Sequence, residues 1–368
     1  MSKTATYIFI IIGVAILGFI LWYFKSIVAY ILISLVLSLI GSPIVRFLGK
    51  LKIGKISLPK AIRALLTLIF LWIAFFTFFR IFVPLVAKEA NDFSKINIQS
   101  VVENLDEPIN KADKFIEKFK LSSDDDVSVR DFFTEKLASV LNITLFSNIF
   151  STLASLLGDI FIAIFAISFM TFFFLKDEKM FTESIILLVP DKHVEAFRHA
   201  LSSVQKLLRR YFIGIIGQIT GIIILVTAGL TIVGVGFKHS LLIGFMAGIL
   251  NVIPYLGPLL GAILGIILGV ATHLDMEFYS ELLPLIGYMI LVFIIVQTID
   301  NVIFQPFIYS SSVNAHPMEI LLIIMIAGSL AGIAGMILAI PSYTVLRVFG
   351  KEFFNKFKVV KKLTEKIE

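Results

Sequence analysis

The chain has 368 residues, of which 58% are hydrophobic and 16% charged, and its mean hydropathy is +0.98. A soluble domain is about half apolar and a quarter charged, so this composition excludes an ordinary soluble protein and predicts a membrane protein. The net charge of +6 does not indicate a nucleic-acid partner, because the basic residues flank apolar runs as membrane topology demands. The chain has no cysteine, which excludes disulfides and thiolate metal sites.

Five apolar runs are each long enough to cross the roughly 30 Å hydrocarbon core of a bilayer. The first run leads into the second through Lys25 and Ser26, which predicts a tight turn between two spans rather than a cleaved signal peptide. The predicted spans cover residues 5–24, 27–47, 64–87, 149–175 and 212–236.

Basic residues set the predicted orientation, because loops rich in Lys and Arg stay on the cytoplasmic side. Segments 46–63 and 176–210 and the tail from Arg347 are basic. They predict cytoplasmic N- and C-termini for a multi-pass protein of the inner membrane. Segment 88–148 is polar and acidic, and its apolar residues recur at helical spacing, which predicts amphipathic helices on the outer face.

Two apolar stretches in the C-terminal part are too long and too interrupted for single helices. Residues 241–271 contain Pro254, Gly257 and Pro258, which leave two arms too short to cross a bilayer. This pattern favours a re-entrant helical hairpin, with a kinked full span as the alternative. Residues 317–349 carry central glycines and predict a second hairpin.

The predicted fold class is an all-α integral membrane protein with about eight membrane segments, two of them broken or re-entrant hairpins. Paired, interrupted hydrophobic segments are typical of transporters, because irregular backbone at membrane depth is tolerated only where protein or a wet cavity covers it. The predicted division is spans one to three (1–87), a polar outer helical segment (88–148), span four with a cytoplasmic linker (149–210), a transport core (211–349) and a basic tail (350–368).

A polar cluster follows the span predicted over residues 282–299 and is interpreted as a break in the helix. It consists of Asp300, Asn301, Gln305 and Pro306, with His316 further along the chain. An acid and a histidine beside a helix break can carry protons or bind a cation. The alternative is an ordinary loop with a helix N-cap.

Amides inside the apolar runs are further candidates for a solute or ion pathway. Gln218 and Gln297 lie within predicted spans, where they either bind a solute or bridge helices. Asn251 and Tyr255 lie in the first interrupted stretch. The two breaks are predicted to meet near the membrane midplane, where half-helix ends offer backbone groups to a solute or ion.

Two charged residues lie deep within predicted spans, Arg80 in the third and Asp159 in the fourth. An ionisable side chain deep in a bilayer costs about 2.5–3.5 kcal/mol or more, so the two are predicted to pair. The alternative is that each reaches the membrane interface or faces the outer segment.

Sequence signatures of enzymes are absent, since the chain has no His-Glu-x-x-His, no Gly-x-Ser-x-Gly and no Walker loop. The five histidines show no metal-ligand spacing. We therefore predict no enzymatic activity, no cofactor and no metal site. A gradient-driven transporter or a channel is favoured over a self-powered pump.

Several short motifs occur in order along the chain. They are Phe172–Asp177, Tyr211 with Gly217-Gln218, Asn251–Pro258, Asn301–Pro306, His316-Pro317, Gly332–Gly335 and Ala339–Pro341. Together they resemble the autoinducer-2 exporter-like family of bacterial transporters, also called PerM-type permeases. The similarity covers nearly the whole chain and is strongest from residue 170 on.

The resemblance implies an integral membrane transporter that assembles as a homo-oligomer, with a pentamer as one form. Family members are linked to export of the quorum-sensing signal autoinducer-2, and others to sodium–proton antiport. Asp300 is often a glutamate in the family, so the carboxylate is kept.

Three functions follow from these observations. The favoured one is secondary, gradient-driven export of a small polar solute, which predicts recognition by Gln218, Asn251 and Gln297 with little dependence on Asp300. Cation–proton antiport is the alternative and predicts that Asp300→Asn abolishes transport and that activity follows pH. A membrane scaffold without transport predicts that disrupting both breaks changes nothing. The predicted partners are the lipid bilayer, a small solute or monovalent cation and other copies of the chain.

Overall fold

A computed structural model gives the structure of the chain. It describes residues 22–53, 56–93, 157–187, 189–273, 276–306 and 316–354, with residue 308 and several positions between 12 and 20. Nearly all of these residues are helical, which confirms the all-α class. Most of the predicted outer segment, residues 94–148, lies outside the described part.

The helices and strands follow one another in a simple order. They are α1 (Lys25–Lys50), the short strands β1 (Lys52–Ile53) and β2 (Ile56–Ser57), α2 (Lys60–Phe93), α3 (Leu157–Lys176), α4 (Met180–Ile186), α5 (Val194–Ile232), α6 (Phe237–Leu250), α7 (Leu256–Ala271), α8 (Leu283–Ile299) and α9 (Pro317–Phe354). A 3₁₀ turn covers Asp191–His193, and π-helical turns cover Phe278–Leu282 and Asp300–Phe304. The two strands pair antiparallel between α1 and α2.

Five of the described helical segments are long and apolar enough to cross a membrane. They are Lys25–Lys50, Lys60–Lys88, Asp191–Ile232, Phe278–Phe304 and Met318–Phe353. Three shorter apolar helices accompany them, at Phe161–Lys176, Phe237–Leu250 and Leu256–Ala271. Large apolar side chains are exposed along these helices, as expected where lipid rather than water surrounds the protein.

Two predicted boundaries differ from those observed. Lys25 and Ser26 are helical, and the turn lies instead at Phe24, whose φ of −95° and ψ of 29° depart from the helical values. The cytoplasmic linker and the fifth span were predicted as separate elements, but α5 begins at Val194 within the linker and continues without interruption into the span as far as Ile232. One half of α5 is amphipathic and the other half is apolar, so the composition changes along a single helix. A boundary drawn from composition therefore falls where the backbone is continuous.

The chain forms two compact units, Met1–Phe75 with Ser155–Phe212 and Phe76–Ala154 with Ile213–Glu368. In the first unit, small residues sit where helices meet. A Cβ at Gly41 on α1 would lie 2.9 Å from the Cγ2 atom of Thr67 and 3.0 Å from a methyl of Leu175. Small residues at helix crossings allow the close backbone approach that stabilises helix pairs in membranes.

The core of the second unit lies where α5, α6 and α8 meet. Ile243 and Met289 are fully buried there. Glycines on α5 receive side chains of α8, since a Cβ at Gly229 would lie 2.6 Å from the Cγ1 atom of Val292. This packing fixes α5 beside α8 and positions the polar residues described below.

Helices α6 and α7 form the hairpin predicted over residues 241–271. Four buried glycines recur at every fourth position of α7: Gly257, Gly261, Gly265 and Gly269. A Cβ at Gly261 would lie 3.1 Å from the Cα atom of Ala247 on α6, so the arms pack nearly backbone to backbone. Arms of 14 and 16 residues are only about 21 and 24 Å long, short of a roughly 30 Å core. The observed geometry is therefore the hairpin and not the kinked span.

Helix α9 folds back on itself at the glycine-rich centre of the second predicted hairpin. Ala331 and Gly332 leave the helical conformation, and Gly332 has a φ of 59°, which glycine adopts at little cost. Beyond the turn, the Tyr343 hydroxyl donates a hydrogen bond to Oε2 of Glu319 at 2.8 Å. In a straight helix these residues would be about 36 Å apart, so the two arms lie side by side.

The polar break predicted over residues 300–306 is wrong. The π-helical turn Asp300–Phe304 continues α8, and Gln305 and Pro306 remain helical. A π-turn adds one residue to the helical repeat, so the polar residues stay on the helix and change the face on which they lie. In sequence such residues cannot be distinguished from a loop.

Candidate functional site

A cavity of about 640 Å³ lies in the second unit, bordered by α5, the α6–α7 hairpin and α8. Its polar lining residues are Asn251, Tyr255, Gln297, Asn301 and Gln305. The remaining wall is apolar, and none of the described lining residues is charged. We call it the amide cavity. Its volume is within the range of about 300–1,000 Å³ that is usual for small-molecule sites.

Asn251 directly follows the last residue of α6 and lies in the wall of this cavity, where its side-chain amide is a buried hydrogen-bond donor. The residue is only 6% exposed, and its Nδ2 atom has no hydrogen-bond partner among the described residues. A buried amide without a partner costs about 1–3 kcal/mol. Such a group is expected where a ligand supplies the missing acceptor, and the position of Asn251 in the cavity wall fits that role.

Tyr255 is the central residue of a strained turn between the two arms of the hairpin. Its φ of 66° and ψ of −50°, with a 2.8 Å hydrogen bond from the Leu256 amide to the Pro254 carbonyl, define a classic-type γ-turn. Tyrosine rarely adopts a positive φ, and the cost is of order 1–3 kcal/mol. The turn places the Tyr255 ring in the cavity wall.

Three amides form a ladder along one face of α8 and its π-helical turn. Gln297 and Gln305 each donate through Nε2 to Oδ1 of Asn301, at 3.0 Å and 2.9 Å. Residues four apart on a helix are neighbours, which explains this spacing. Asn301 therefore accepts from both sides, and the ladder presents a row of uncharged polar groups to the cavity.

A buried carboxylate that does not line the cavity holds the amide ladder in place. Asp300 is 1% exposed and accepts hydrogen bonds from Nε2 of Gln218 on α5 at 2.6 Å and from Nε2 of Gln305 at 3.0 Å. Asp300 and Gln305 are five apart, and the π-turn brings such a pair onto one face. Asp300 forms no ion pair within the described part of the chain, so the carboxylate is held by amides alone.

The remaining residues proposed from the sequence lie in several places. Pro258 lines the amide cavity, whereas Gly257 packs against the α6 backbone. Pro306 is helical and exposed, and follows Gln305 directly after the π-helical turn. His316 precedes α9, and its Nδ1 accepts a hydrogen bond from the Met318 amide at 3.2 Å. His316 therefore acts as an N-terminal cap rather than a cavity residue.

The predicted pairing of Arg80 with Asp159 stays a prediction. Arg80 is exposed on α2. The side chain of Asp159 lies outside the described part of the structure.

Some parts of the site were not predicted from the sequence. The apolar cavity wall, which includes Ile222 and Phe293, carries no signal in a chain that is apolar almost throughout. The Tyr343–Glu319 contact between the arms of α9 involves no lining residue of this cavity and was not predicted either.

The fold and the cavity together define a multi-pass α-helical membrane protein with a ligand-sized cavity among its helices, partly lined by amides. The family follows from comparison with known proteins. The chain belongs to the AI-2E family of transporters, whose family model matches residues 8–355. This confirms the resemblance seen in the motifs.

Three relatives illustrate the similarity. The "Putative transport protein YueF" of Bacillus subtilis is 28% identical over 220 residues, which cover 58% of this chain and 55% of that protein. The "Putative permease PerM" of Escherichia coli is 29% identical over 201 residues, or 53% of each chain. A "Putative transport protein" of Thermotoga maritima is 23% identical over 341 residues, which cover 91% of this chain and 89% of that protein. The chain thus matches about half the length of the first two.

A pair of Tyr255 variants is expected to separate the strain of the turn from the role of the ring. Both Tyr255→Ala and Tyr255→Gly remove the ring, but only glycine adopts the positive φ without strain. We expect the glycine variant to be about 1 kcal/mol more stable than the alanine variant. Thermal unfolding of the detergent-solubilised protein measures this difference. An alanine variant as stable as the glycine variant would show that the turn is not strained.

Proposed function

We propose that the protein is a secondary transporter that exports a small polar solute, and that the solute binds in the amide cavity. Membership of a transporter family supports the class. The observation that carries the site is the unpartnered Nδ2 donor of Asn251 in a cavity of suitable size.

The lining of the cavity suggests the chemistry of the solute. The amides of Asn251, Gln297, Asn301 and Gln305 and the Tyr255 hydroxyl can donate to and accept from hydroxyl and carbonyl groups. An uncharged lining offers no counter-ion, so a neutral solute fits better than an ion. The apolar wall suits the carbon skeleton of such a molecule. Autoinducer-2, which the family resemblance implies, belongs to this class.

The hairpin supports a mechanism of alternating access. The cavity borders the break between α6 and α7, and discontinuous helices of this kind form the binding sites of many transporters. Gly257 and Gly261 of α7 meet the main chain of the opposite arm, so near the turn the two arms meet without interlocking side chains. Movement of the hairpin relative to α5 and α8 would open the cavity to one side at a time, driven by a solute or ion gradient.

Flux measurement in proteoliposomes tests this proposal. Labelled neutral solutes, namely ribose, mannitol and autoinducer-2, are loaded inside, and efflux is followed with and without sodium and pH gradients. For a transported solute, Asn251→Ala should raise the half-saturating concentration about five- to tenfold, because one hydrogen bond is lost.

Thr298→Val serves as the matched control. Thr298 lies beside Gln297 but is exposed and bonds its own helix, donating to the Ile294 carbonyl at 2.7 Å. The control should transport like the unmodified protein. Equal effects of both variants, or no efflux of any solute, would contradict a solute site in the amide cavity. Efflux of sodium or protons alone would favour antiport.

A further inference from the structure

A second polar site lies in the first unit, where α1 ends, α2 begins and α3 ends. A cavity of about 330 Å³ there is lined by the cationic residues Arg46, Lys60, Arg63, Lys176 and Lys179. We call it the basic pocket. Two acids, Asp177 and Glu178, also line it, so cations are in excess.

One of the two acids is already neutralised by its neighbours. Glu178 accepts a hydrogen bond from the Ser42 hydroxyl and lies 3.4 Å from Arg46 and 3.7 Å from Arg209. Partial burial raises the pKa of Glu178, but the Ser42 hydrogen bond and the two arginines outweigh it and hold the pKa below its usual value. Glu178 therefore stays ionised and is already paired with its neighbours. Among the residues that line the pocket, only Asp177 then remains to balance the charges of the other cations.

Arg63 is placed to bind an anion. Its Nε atom is shielded from solvent and has no hydrogen-bond partner among the described residues. The guanidinium packs over Gly49 of α1, where a Cβ would collide with Nη1. A guanidinium donates in a planar fork that matches two oxygens of a phosphate group. The unpartnered donor thus points to an oxyanion as the missing ligand.

The position of the basic pocket indicates where such a phosphate comes from. Apolar side chains are exposed next to it, with Phe47 64% and Ile62 44% exposed. The apolar surfaces of α1 and α2 continue away from the pocket along both spans. Acyl chains would lie along these surfaces, and the phosphate of the same lipid would reach the cations at the helix ends.

We propose that the basic pocket binds the phosphate headgroup of an anionic phospholipid. This binding is separate from the amide cavity and does not depend on the proposed transport function. Each Lys or Arg near an anionic membrane surface contributes about fivefold to binding, so the cluster can select anionic over zwitterionic lipids.

Lipid titration of the purified protein in a neutral detergent tests the proposal. Binding of phosphatidylglycerol, phosphatidylcholine and glycerol 3-phosphate is measured by native mass spectrometry and by the shift in unfolding temperature. We expect phosphatidylglycerol to bind tightest. Equal binding of phosphatidylcholine would overturn the proposal, and equal binding of glycerol 3-phosphate would show that a soluble phosphate is the ligand instead.

Two variants and one control locate the binding. Lys60→Gln with Lys179→Gln should weaken phosphatidylglycerol binding by more than about tenfold, since two exposed cations of the pocket are lost. Gly49→Ala keeps every charge but displaces Arg63, and should weaken binding several-fold. The control, Lys50→Gln with Lys192→Gln, removes the same charge outside the pocket and should leave binding unchanged. Equal weakening by the control would mean that net charge, not the pocket, attracts the lipid.

Discussion

Replacing Gly257 with alanine is expected to abolish transport and to lower stability by about 3 kcal/mol. A Cβ at this position would collide with the Leu250 carbonyl oxygen and lie 2.8 Å from the Cα atom of Asn251. Both obstructing atoms belong to the main chain, so no change of side-chain rotamer relieves the clash. The arms of the hairpin must separate, and Asn251 then leaves the wall of the amide cavity. Thermal unfolding and proteoliposome efflux measure the two effects.

Gly287→Ala is the control for this experiment. A Cβ at Gly287 on α8 meets no atom within 4 Å, and alanine favours a helix, so stability and transport should be kept. If Gly257→Ala unfolded and transported like Gly287→Ala, the close packing of the hairpin would be wrong.

The two variants Asp300→Ala and Asp300→Asn are expected to differ in solute efflux. The difference follows from the hydrogen bonds that each side chain can form and not from its charge. Asp300→Ala leaves the buried Nε2 donor of Gln218 without an acceptor, at about 1–3 kcal/mol, and Gln305 keeps only its bond to Asn301. The amide ladder loses its support, so solute efflux should fall at least tenfold, contrary to the expectation from the sequence of little dependence on Asp300. Asp300→Asn keeps the shape and one accepting oxygen for Gln305, and the Gln218 amide can turn so that its oxygen accepts from the new Nδ2. Most of the efflux should therefore be retained.

The same pair of variants separates the two transport functions. Asp300 does not line the amide cavity, so a neutral solute has no need of its charge. In an antiporter, Asp300→Asn would remove the group that carries the proton or cation and would abolish transport as fully as Asp300→Ala. Efflux is measured between pH 6 and pH 8 for both variants. Loss of efflux in Asp300→Asn would contradict a supporting role for the carboxylate.

The hairpins were predictable because length and local chemistry agreed. A bilayer sets a minimum length for a span, and the prolines and glycine around Pro254 leave arms that cannot meet it. The second turn lies at Gly332, within the predicted glycine-rich centre. In both cases the backbone requirement is local, so the sequence carries it directly.

The π-helical turn was not predictable for the opposite reason. From the sequence, Asp300, Asn301 and Gln305 before Pro306 are interpreted as a break in the helix, because such residues are costly on a lipid-facing helix. What keeps them helical is a set of hydrogen bonds to one another and to Gln218, a residue 82 positions away. A contact at that distance has no local signature, and neither does the strained φ of Tyr255.

The polar half of the cavity was therefore predicted better than its apolar half. Amides inside apolar runs stand out, and Asn251, Tyr255, Gln297, Asn301 and Gln305 all line one cavity. Gln218 and Asp300 were singled out for the same reason but lie behind the ladder. Apolar wall residues were missed, because only the packing of helices shows which of many similar side chains face inward.

Helix α6, at 14 residues, is too short to be held in a bilayer by its own apolar length. During synthesis it therefore has to enter the membrane together with α7, as a pair. The turn between them contains the unpartnered side-chain amide of Asn251, which lipid cannot solvate. Helix α8, which covers that turn from the other side of the cavity, leaves the ribosome only afterwards. Until α8 is made, the hairpin has α5 beside it but lacks the cavity wall that α8 supplies.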